Sequence, residues 1–506
     1  MFIVRLLLSL LLGAVSALEA NYFQDVCPES YCSLPEMKTE YAANQAPNIM
    51  ELHLGYCREL EVLRCTPNLR ILSLSNCLGD PFAKEDIQLT YKLNMLHLRR
   101  SNISELHENQ FSVMYRLEIL ELGGNSIERL ANGTFRELTR LEMLGLQGNL
   151  IKSLPEDVFH PLENLRSLDL SDNKISNITR DVFARNLNLQ TLLLRGNPLT
   201  QLVFPTPGAQ SLFQLLDLSR CRQLKELVLH SHVDTLILEE SGVESLQVTA
   251  NKSLLRLQAA NSKLSHLSLG DPISLIELDL RGTLLVWRNI SKVFCNSRSL
   301  QRLDLSQNSI ESLPLSYNNV SRDLCLLPSL RFLNLSSNQL VSLQLESSFF
   351  GPRLAVLDLS HNKLESFSPE ALDGAHDLRS LFLENNNLTT FNYRSLYEKH
   401  NNLKTVALFG NKFSSEFYNE MIEYFHFKDV NLIEKDFPRK SEAKQHEWSV
   451  YDILIVIFLL GVLAYARMYL YKRGGANCCF GCKWGQRTED NSESRVRFLF
   501  RPESET

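Results

Sequence analysis

Leucine and asparagine recur in a fixed pattern along most of the chain. The pattern is L-x-x-L-x-L-x-x-N-x-L, and clear copies include LEILELGGNSI at residues 117–127, LRSLDLSDNKI and LAVLDLSHNKL. Successive copies place the Asn-type residue 24 or 25 positions apart over two long stretches: Asn125, Asn149, Asn173 and Asn197, then Asn338, Asn362, Asn386 and Asn411. A fixed period of this length indicates a repeat architecture.

Each copy also predicts its own local structure. The L-x-L segment alternates apolar and polar positions, so it predicts a short strand with its leucines on one face. One such unit cannot bury its leucines alone, and neighbouring units must stack to share a core. The Asn turns the chain out of the strand, and its side chain is expected to bond backbone groups of a neighbouring coil. A Phe ten residues further on is expected on the convex side, at Phe111, Phe135, Phe159 and Phe183.

The predicted fold is an α/β repeat solenoid, a curved horseshoe with a parallel sheet on its concave side. Amphipathic helices are the alternative explanation, but they would not keep Asn in phase at this spacing. About sixteen repeats are expected over residues 49–415, after an N-terminal cap at 18–48. The Asn-type position is degenerate in the middle, where it is Ser241, Ser262, Thr283 and Asn308. A helix is expected within 416–449, and one of its faces would carry Phe417, Met421, Ile422 and Phe425.

Two apolar runs near the ends predict export and membrane anchoring. Residues 1–17 have the order of a signal peptide: Arg5, a short apolar run, then small residues at Val15 and Ala17. A buried N-terminal strand or helix is the alternative. Residues 450–471 are long enough for one transmembrane helix. Basic residues after that run favour a cytoplasmic tail at 472–506. The expectation is a single-pass type I protein of the plasma membrane with its N-terminus outside.

Composition and motifs exclude several classes of function. Hydrophobic residues make up 44% of the 506 residues and charged residues 22%, which is ordinary for a folded chain. The net charge of −6 gives no reason to expect a nucleic-acid partner. The sequence has no nucleophile elbow, P-loop, dinucleotide fingerprint or zinc-protease motif. We therefore expect neither an enzyme nor a cofactor or metal site.

Cysteines and glycosylation sequons fit an exported protein. Candidate disulfide cysteines are Cys27, Cys32, Cys295 and Cys325, whereas Cys57, Cys77 and Cys221 replace the Asn-type residue and are expected to be free buried thiols rather than bridges. The tail cysteines Cys478, Cys479 and Cys482 are candidates for palmitoylation, with inert thiols or metal and redox use as alternatives. Candidate N-glycosylation sites are Asn102, Asn132, Asn177, Asn251, Asn289, Asn319, Asn334 and Asn387.

The repeats resemble the extracellular leucine-rich-repeat family of type I membrane proteins. Their 24-residue type is similar to that of Toll-like receptor ectodomains and of insect adhesion and immune proteins, and the resemblance covers residues 49–415. It implies the solenoid fold and leaves the ligand open. The chain departs from the family's pattern in three ways. Its N-terminal cysteine cluster matches only loosely, the four-cysteine C-terminal cap is absent, and the tail is too short for a Toll-type signalling domain.

The register places an apolar ridge on the predicted concave face. Ile71, Met95, Ile119 and Met143 occupy the same strand position in successive coils, flanked by His53, His97, Arg99 and Arg100. An exposed apolar patch with a polar rim usually marks an interaction site. A ridge that merely packs against its own neighbours is an equally open alternative. No sequon of these coils falls on an inward-facing strand position, whereas a glycan on Asn334 would stand over the C-terminal half of the face.

A line of acids is expected on the same face: Asp169, Asp217, Asp279, Asp304 and Asp358, each as the middle residue of its strand. Binding of a metal or a basic ligand is one interpretation. The favoured one is structural, because Leu-Asp-Leu is a common form of this repeat. Arginines of the same face are then expected to neutralise the acids: Arg195, Arg256, Arg281 and Arg302.

These observations favour a non-catalytic cell-surface receptor or co-receptor that binds an extracellular protein through its solenoid. A cell-adhesion molecule and a membrane-anchored immune recognition or modulator protein are the alternatives. The oligomeric state does not follow from the sequence.

Overall fold

The strands of successive coils build one long parallel sheet. The structure is a computed structural model. It describes residues 50–54, 63, 68–77, 90–204, 212–249, 254–269, 274–285, 297–313, 327–343 and 350–433, all of them within the unit Met37–Arg439. Seventeen strands form this main sheet: β1 (Glu51–Leu54), β2 (Ile71–Ser75), β3 (Met95–Arg99), β4 (Ile119–Glu121), β5 (Met143–Gly145), β6 (Ser167–Asp169), β8 (Thr191–Leu193), β10 (Leu212–Asp217), β12 (His232–Ile237), β14 (Arg256–Gln258), β16 (Glu277–Asp279), β17 (Arg302–Asp304), β18 (Phe332–Asn334), β19 (Val356–Asp358), β20 (Ser380–Phe382), β21 (Thr405–Ala407) and β22 (Asn431–Ile433).

The register of the main sheet stacks equivalent residues of successive coils. Leu96 pairs with Leu72 on one side and Leu120 on the other. These central leucines are fully buried, whereas the strand residues on either side of them face solvent. We call this solvent-facing side of the main sheet the front face, and it corresponds to the predicted concave side. The predicted alternation within L-x-L is confirmed.

The Asn-type residue bonds neighbouring coils together, as predicted. Asn173 is buried, and its amide donates to the carbonyl oxygens of Leu146 (2.9 Å) and Leu170 (3.0 Å). Its Oδ1 accepts the backbone N–H of Ile151 at 3.1 Å. One side chain therefore satisfies backbone groups in two coils. The same pattern recurs at Asn125, Asn149, Asn197, Asn308, Asn338, Asn362 and Asn386.

The residue just before this position is in the left-handed region in coil after coil. It is glycine in some coils, such as Gly148 (φ 65°), and a larger residue in others, such as Glu240 (φ 54°) and His361 (φ 54°). A side chain in this conformation costs about 1–2 kcal/mol in steric strain. The surrounding fold therefore stabilises this left-handed conformation, and a glycine is not required in every coil.

A stack of phenylalanine rings fills the back of the regular coils, on the side away from the main sheet. Phe111, Phe135, Phe159 and Phe183 are buried and stack with centroids 6.0, 6.2 and 6.1 Å apart. Their convex position was predicted, and the structure confirms that they form a continuous core. The stack continues to Phe204 at 6.4 Å, and Phe213 then meets Phe204 at a tilt of 56°.

On either side of Phe213 in the sequence the back of the coils also contains strands, which the sequence pattern did not predict. A three-stranded sheet contains β11 (Glu226–Leu229), β13 (Ser245–Val248) and β15 (His266–Ser268), and a two-stranded one contains β7 (Asn177–Ile178) and β9 (Gln201–Leu202). An extended strand advances about 3.3 Å per residue, against about 2.0 Å for a 3-10 turn, so fewer residues are needed to cross the back. The coil length accordingly falls to 20 between the paired Leu216 and Leu236 and to 21 between Leu236 and Leu257.

Helical elements occur mainly in the last coils. Short 3-10 turns lie at Arg180–Phe183 and Pro369–Leu372, and helix α1 spans Tyr393–Lys399. Helix α2, Ser415–Phe427, begins where the Ser414 hydroxyl accepts the N–H of Phe417. Its Met421 and Phe425 are buried and Phe417 and Ile422 half-buried, as the predicted apolar face requires. Strand β22 then adds the last strand to the main sheet.

One cysteine prediction is wrong. Cys77 is disulfide-bonded rather than a free thiol, and its partner lies outside the described residues. Cys221 is a free buried thiol, as predicted, and its Sγ lies 3.3 Å from the carbonyl oxygen of Leu194. A buried position in the coil accommodates cysteine both as a free thiol and in a disulfide. The sequence pattern alone therefore did not distinguish Cys77 from Cys221.

Several predictions fall outside the described residues. They are the signal peptide, the N-terminal cap, the span 450–471, the tail and the residues Cys27, Cys32, Cys57, Asn251, Asn289, Cys295, Asn319, Cys325, Cys478, Cys479 and Cys482. Over the part of the chain that the structure covers, no helix combines the length and apolarity needed to cross a bilayer.

Candidate protein-binding face

The four ridge residues lie side by side on the front face. Ile71 pairs with Met95, Met95 with Ile119 and Ile119 with Met143, each in parallel register. The first three are half-buried and Met143 is 42% exposed. The row ends where Ser167 follows Met143. These side chains pack against one another and still present apolar surface to solvent.

A polar cluster borders one side of the ridge. Arg99 Nη2 lies 3.0 Å from Glu121 Oε2, and Gln147 Nε2 lies 3.4 Å from the same oxygen. The Glu121 side chain is only 14% exposed, whereas that of Arg99 is 56% exposed. Arg99 therefore offers a cation to a partner while Glu121 holds it in place. An ion pair with one screened member is better defined than a fully exposed pair.

Two glycines make room for this polar cluster. A Cβ at Gly145 would overlap Glu121 Oε2, and a Cβ at Gly123 would lie 2.6 Å from Gln147 Cδ. Gly145 occupies the strand position beside Glu121, so its missing side chain lets the carboxylate lie flat on the sheet. The sequence interpretation missed both Glu121 and Gln147. The signal in the sequence was a glycine at a strand position where other coils carry a side chain. It could have pointed to the space that Glu121 and Gln147 occupy.

The other side of the ridge carries exposed polar groups. Asn94 Nδ2 donates to Glu118 Oε1 at 3.1 Å, and Arg166 Nε lies 3.7 Å from Glu142 Oε2. The ridge is thus rimmed on both sides by groups that can bond a partner. Of the other predicted flanking residues, His97 lies in register with Ser73 and Glu121, and Arg100 is exposed in the turn after β3. The side chain of His53 is outside the described residues.

The line of acids is structural. In each described case the aspartate is the last residue of its strand, not the middle one, because the strands are short. Its Oδ1 accepts the backbone N–H two residues further on, for example Ser171 at 2.9 Å from Asp169 and Arg281 at 3.0 Å from Asp279. This local bond orients the turn that leaves the strand. Among the residues described, no group of three or more acids, histidines and cysteines could hold a metal ion.

Two of the four predicted arginines of the front face pair with a glutamate and not with an aspartate, whereas the charge of Arg281 acts on Asp279 as predicted. Arg256 and Arg302 both approach Glu277, with N–O distances of 3.8 Å. The guanidinium of Arg302 also lies 3.9 Å from the centre of the Phe332 ring. Glu277 is less exposed than either arginine, so it is the natural acceptor between them.

Asp279 is the acid that the structure perturbs most. Burial and, to a smaller extent, the neighbouring carboxylate of Asp304 raise its pKa to about 6. The two side chains are adjacent because β16 and β17 pair Asp279 with Asp304. Asp304 is itself buried and accepts from the Ser306 hydroxyl at 2.6 Å and from Asn334 Nδ2 at 3.1 Å.

The sequons differ in their surroundings. Asn102, Asn132 and Asn177 are exposed in turns or on a back strand, away from the front face. Asn334 lies on the front face, as predicted, but its amide donates to Asp304 and its Oδ1 accepts the N–H of Ser336 at 3.0 Å. Asn387 is half-buried. Attachment of glycans at these residues stays a prediction.

Sequence comparison identifies the repeated unit independently. One family model of the leucine rich repeat matches residues 92–151, 146–199 and 328–388. A second family model of this repeat matches residues 299–322. The matched segments contain the coils that carry the Asn ladder. The described part of the chain folds as a leucine-rich-repeat solenoid.

Solved structures with the same fold are numerous, and three describe the range. A leucine-rich-repeat protein of Leptospira interrogans is 21% identical with a TM-score of 0.54, covering 79% of this solenoid chain and 98% of its own. The APL1 leucine-rich-repeat domain is 22% identical with a TM-score of 0.52, covering 77% and 93%. Drosophila Toll, in complex with Spätzle, is 23% identical with a TM-score of 0.59, covering 70% and 49%.

These likenesses establish the fold of the leucine-rich-repeat solenoid and nothing finer. The match spans only about half the length of the Toll chain, with 49% covered. No curated protein sequence matches the chain. What the solenoid binds must therefore be argued from its own surface.

Proposed function

We propose that this protein is a non-catalytic cell-surface receptor or co-receptor whose solenoid binds an extracellular protein through the N-terminal half of its front face. The observation that carries the proposal is the ridge of Ile71, Met95, Ile119 and Met143. It combines exposed apolar side chains with polar groups on both flanks. A protein interface has the same arrangement, an apolar centre surrounded by a polar rim.

Two further points support the proposal. Structural neighbours include Toll in complex with Spätzle and a complex of LRIM1 with APL1C, so a fold of this kind is used for protein recognition. In this chain the half of the front face from β16 onward has Arg302 and Glu277 paired and the sequon Asn334 on the same surface. Adhesion to a neighbouring cell and immune recognition remain alternatives, and both would use the same face.

The test places charge in the ridge without touching the core. Met95→Glu with Ile119→Glu changes two half-exposed residues, whereas the central leucines of the same strands stay buried. The full chain, with a proximity-labelling enzyme inserted directly after the predicted signal peptide, is displayed on living cells. The double variant is expected to lose one or more labelled surface proteins, because a buried unpaired charge at an interface hot spot costs at least about 2 kcal/mol.

Val341→Glu is the matched control, because Val341 is 45% exposed and lies outside the main sheet. It should keep the labelling of the wild-type chain. An antibody to residues 472–506 should stain only permeabilised cells, which checks the orientation. Equal labelling by the double variant and the wild type at equal surface levels would remove the ridge as the binding site. Clustering of cells that express the chain would favour adhesion over a receptor for a soluble ligand.

A further inference from the structure

A cleft opens at the back of the solenoid where the two back sheets meet. Its volume is about 440 Å³, and it lies between strands β9 and β11. Leu202 and Phe204 are buried at this site, and Val228 is 43% exposed. We call this site the back cleft. It is separate from the front face, so an inference about it does not rest on the proposed function.

Both strands that line the back cleft are edge strands among the described elements. Strand β9 pairs with β7, and strand β11 pairs with β13, but no pairing joins β9 to β11. An exposed strand edge presents backbone N–H and C=O groups that can pair with another chain. Two such edges facing one cleft separate the two back sheets.

The hydrogen bonds of β11 show which backbone groups point into the cleft. The carbonyl oxygen of Lys225 accepts from Glu244 and Ser245, and that of Leu229 accepts from Thr249, so these residues face β13. Consecutive residues of a strand direct their backbone groups to alternate edges. The backbone groups of Glu226 and Val228 therefore point away from β13, towards the cleft.

The same reasoning applies to β9. Val203 N–H donates to the carbonyl oxygen of Ile178 at 3.1 Å, so Val203 faces β7. The backbone groups of Leu202, one residue earlier, point to the opposite edge. The back cleft thus has strand edges on both walls, with Leu202 on one and Glu226 and Val228 on the other.

Arg180 is the charge that favours an acidic group in an occupant of the cleft. Arg180, Lys225 and His230 line it together with a single acid, Glu226. Lys225 is paired with Glu244, and a His230 ring nitrogen lies 2.9 Å from Thr249 Oγ1. Arg180 is exposed and forms no ion pair with any described residue. A carboxylate entering the cleft would find this guanidinium available.

We propose that the back cleft binds an extended acidic segment of a partner protein, which adds to strand β11 as a new strand. Main-chain hydrogen bonds to Glu226 and Val228 would supply the register, and alternate side chains would meet either the apolar floor or the basic rim. This mode needs a segment with acidic residues at every second position and β-branched residues between them.

The test measures binding of a fluorescein-labelled octapeptide of alternating Glu and Val to the purified full chain by fluorescence anisotropy. Saturable binding that weakens with added salt is expected, because surface charges are screened. A peptide with Lys in place of Glu should bind at least about tenfold more weakly, as like charges oppose it. A peptide with methylated backbone nitrogens at alternate residues should lose a similar factor, because it cannot complete the strand.

Val228→Pro is the sharpest variant of the protein. Its N–H points to the cleft, so proline removes a docking donor while the bonds of β11 to β13 remain, and proline is tolerated at a strand edge. Affinity should fall about tenfold or more, a factor that corresponds to one lost hydrogen bond. Val228→Thr keeps the N–H and should bind as the wild type does. If Val228→Pro fails to fold, the methylated peptide and the wild-type chain still decide the question.

The charge contribution has its own matched pair. Arg180→Glu should weaken binding of the acidic peptide about tenfold, whereas Arg185→Glu changes an exposed arginine outside the cleft and should leave it unchanged. Replacing residues 205–211 by Gly and Ser of equal length tests whether the chain itself fills the site. A rise in peptide affinity of more than about tenfold would mean that residues 205–211 of the chain itself occupy the cleft, and it would overturn the proposal. Undetectable binding of the acidic peptide, or equal binding of the methylated one, overturns it as well.

Discussion

Two blocks of the solenoid keep their coils together by different means. In the regular block, residues 90–204, an asparagine amide bridges each coil to the one before it, and phenylalanine rings stack behind. In the short block, residues 212–285, the same position holds Cys221, Ser241, Ser262 and Thr283, and back strands replace the rings. The main sheet runs through both blocks without interruption.

The difference shows that the coils can stack without the asparagine bridge. Ser241 and Ser262 are buried, but their hydroxyl groups have no hydrogen-bond partner. The coil backbones still bond directly, as where Gly242 N–H donates to the carbonyl oxygen of Cys221 at 3.0 Å, and the regular block has similar bonds, such as Leu150 N–H to the carbonyl oxygen of Ile127 at 2.9 Å. A Cβ at Gly242 would overlap the carbonyl oxygen of Arg222, so this close approach depends on glycine.

The largest difference in stability between the two blocks is expected from substitutions at the Asn-type position. Asn173→Ala removes donors from the carbonyls of Leu146 and Leu170 and an acceptor from Ile151. The Ile151 N–H is then left without an acceptor, whereas the two carbonyl oxygens keep the amides of Asn149 and Asn197. The unpaired N–H and the two lost hydrogen bonds should together lower the free energy of unfolding by about 3 kcal/mol. Ser241→Ala, its counterpart in the short block, should change it by less than about 0.5 kcal/mol, since its hydroxyl bonds nothing. Urea unfolding measures both, and equal losses would refute the contrast.

An intermediate effect is expected from the paired carboxylates at the end of the short block. Asp279, whose pKa is raised to about 6, favours the protonated form in the fold more than in the unfolded chain. The penalty is therefore present above pH 6 and is relieved as the pH falls through 6 towards the usual value of the carboxyl group. Asp279→Asn should add about 2 kcal/mol to the free energy of unfolding at pH 7.5 and little at pH 4.

Asp169→Asn is the control from the regular block. The main sheet places Gly145 and Leu193 beside Asp169, so neither neighbour in its row is charged. Both asparagine variants keep an oxygen that accepts the turn N–H. A gain at pH 7.5 that is the same for the two variants would show that repulsion between Asp279 and Asp304 is not the cause.

The smallest effect on stability is expected at the residue just before the Asn-type position, whose backbone is in the left-handed region. Gly148→Ala in the regular block should cost about 1 kcal/mol, because its Cβ would meet no atom closer than 3.6 Å and only the backbone is strained. Glu240→Gly in the short block should gain about 0.5 kcal/mol, the relieved strain exceeding the greater flexibility of the unfolded chain. Thermal unfolding at one pH resolves both signs. A loss on Glu240→Gly would mean that its exposed pairs with Arg220 and Arg222 matter more than the strain.

The regular block could be predicted in detail because each feature depends on residues within one or two coils. The repeat period predicted that the coils stack. The position of the asparagine within each repeat, from Asn125 to Asn197, predicted which side chains are buried. The four ridge residues came out in register for the same reason, since a strand's side chains alternate with a period of two.

The short block and the sites near it could not be predicted in this way. Strands β11 and β13 contain buried Leu227, Leu229, Leu246 and Val248, but the same alternation also occurs in turns that lack strands. Whether Glu277 or an aspartate would meet Arg302 depends on side-chain reach across coils, which a repeat pattern does not encode. The back cleft is a gap between coils, and a gap leaves no signature within either coil.

The stack of rings from Phe111 to Phe204 has a consequence for the order of folding. Each ring contacts only the rings of adjacent coils, so one ordered coil is a template that lowers the entropic cost of ordering the next. We expect a nucleus to form in this stretch and to grow outward coil by coil. At Phe213 the rings stop, and growth must pass to back strands of a separate sheet, since no pairing among the described residues joins β9 to β11. The seam between the blocks should therefore be the slow step of folding, and the two sides should open separately in hydrogen exchange.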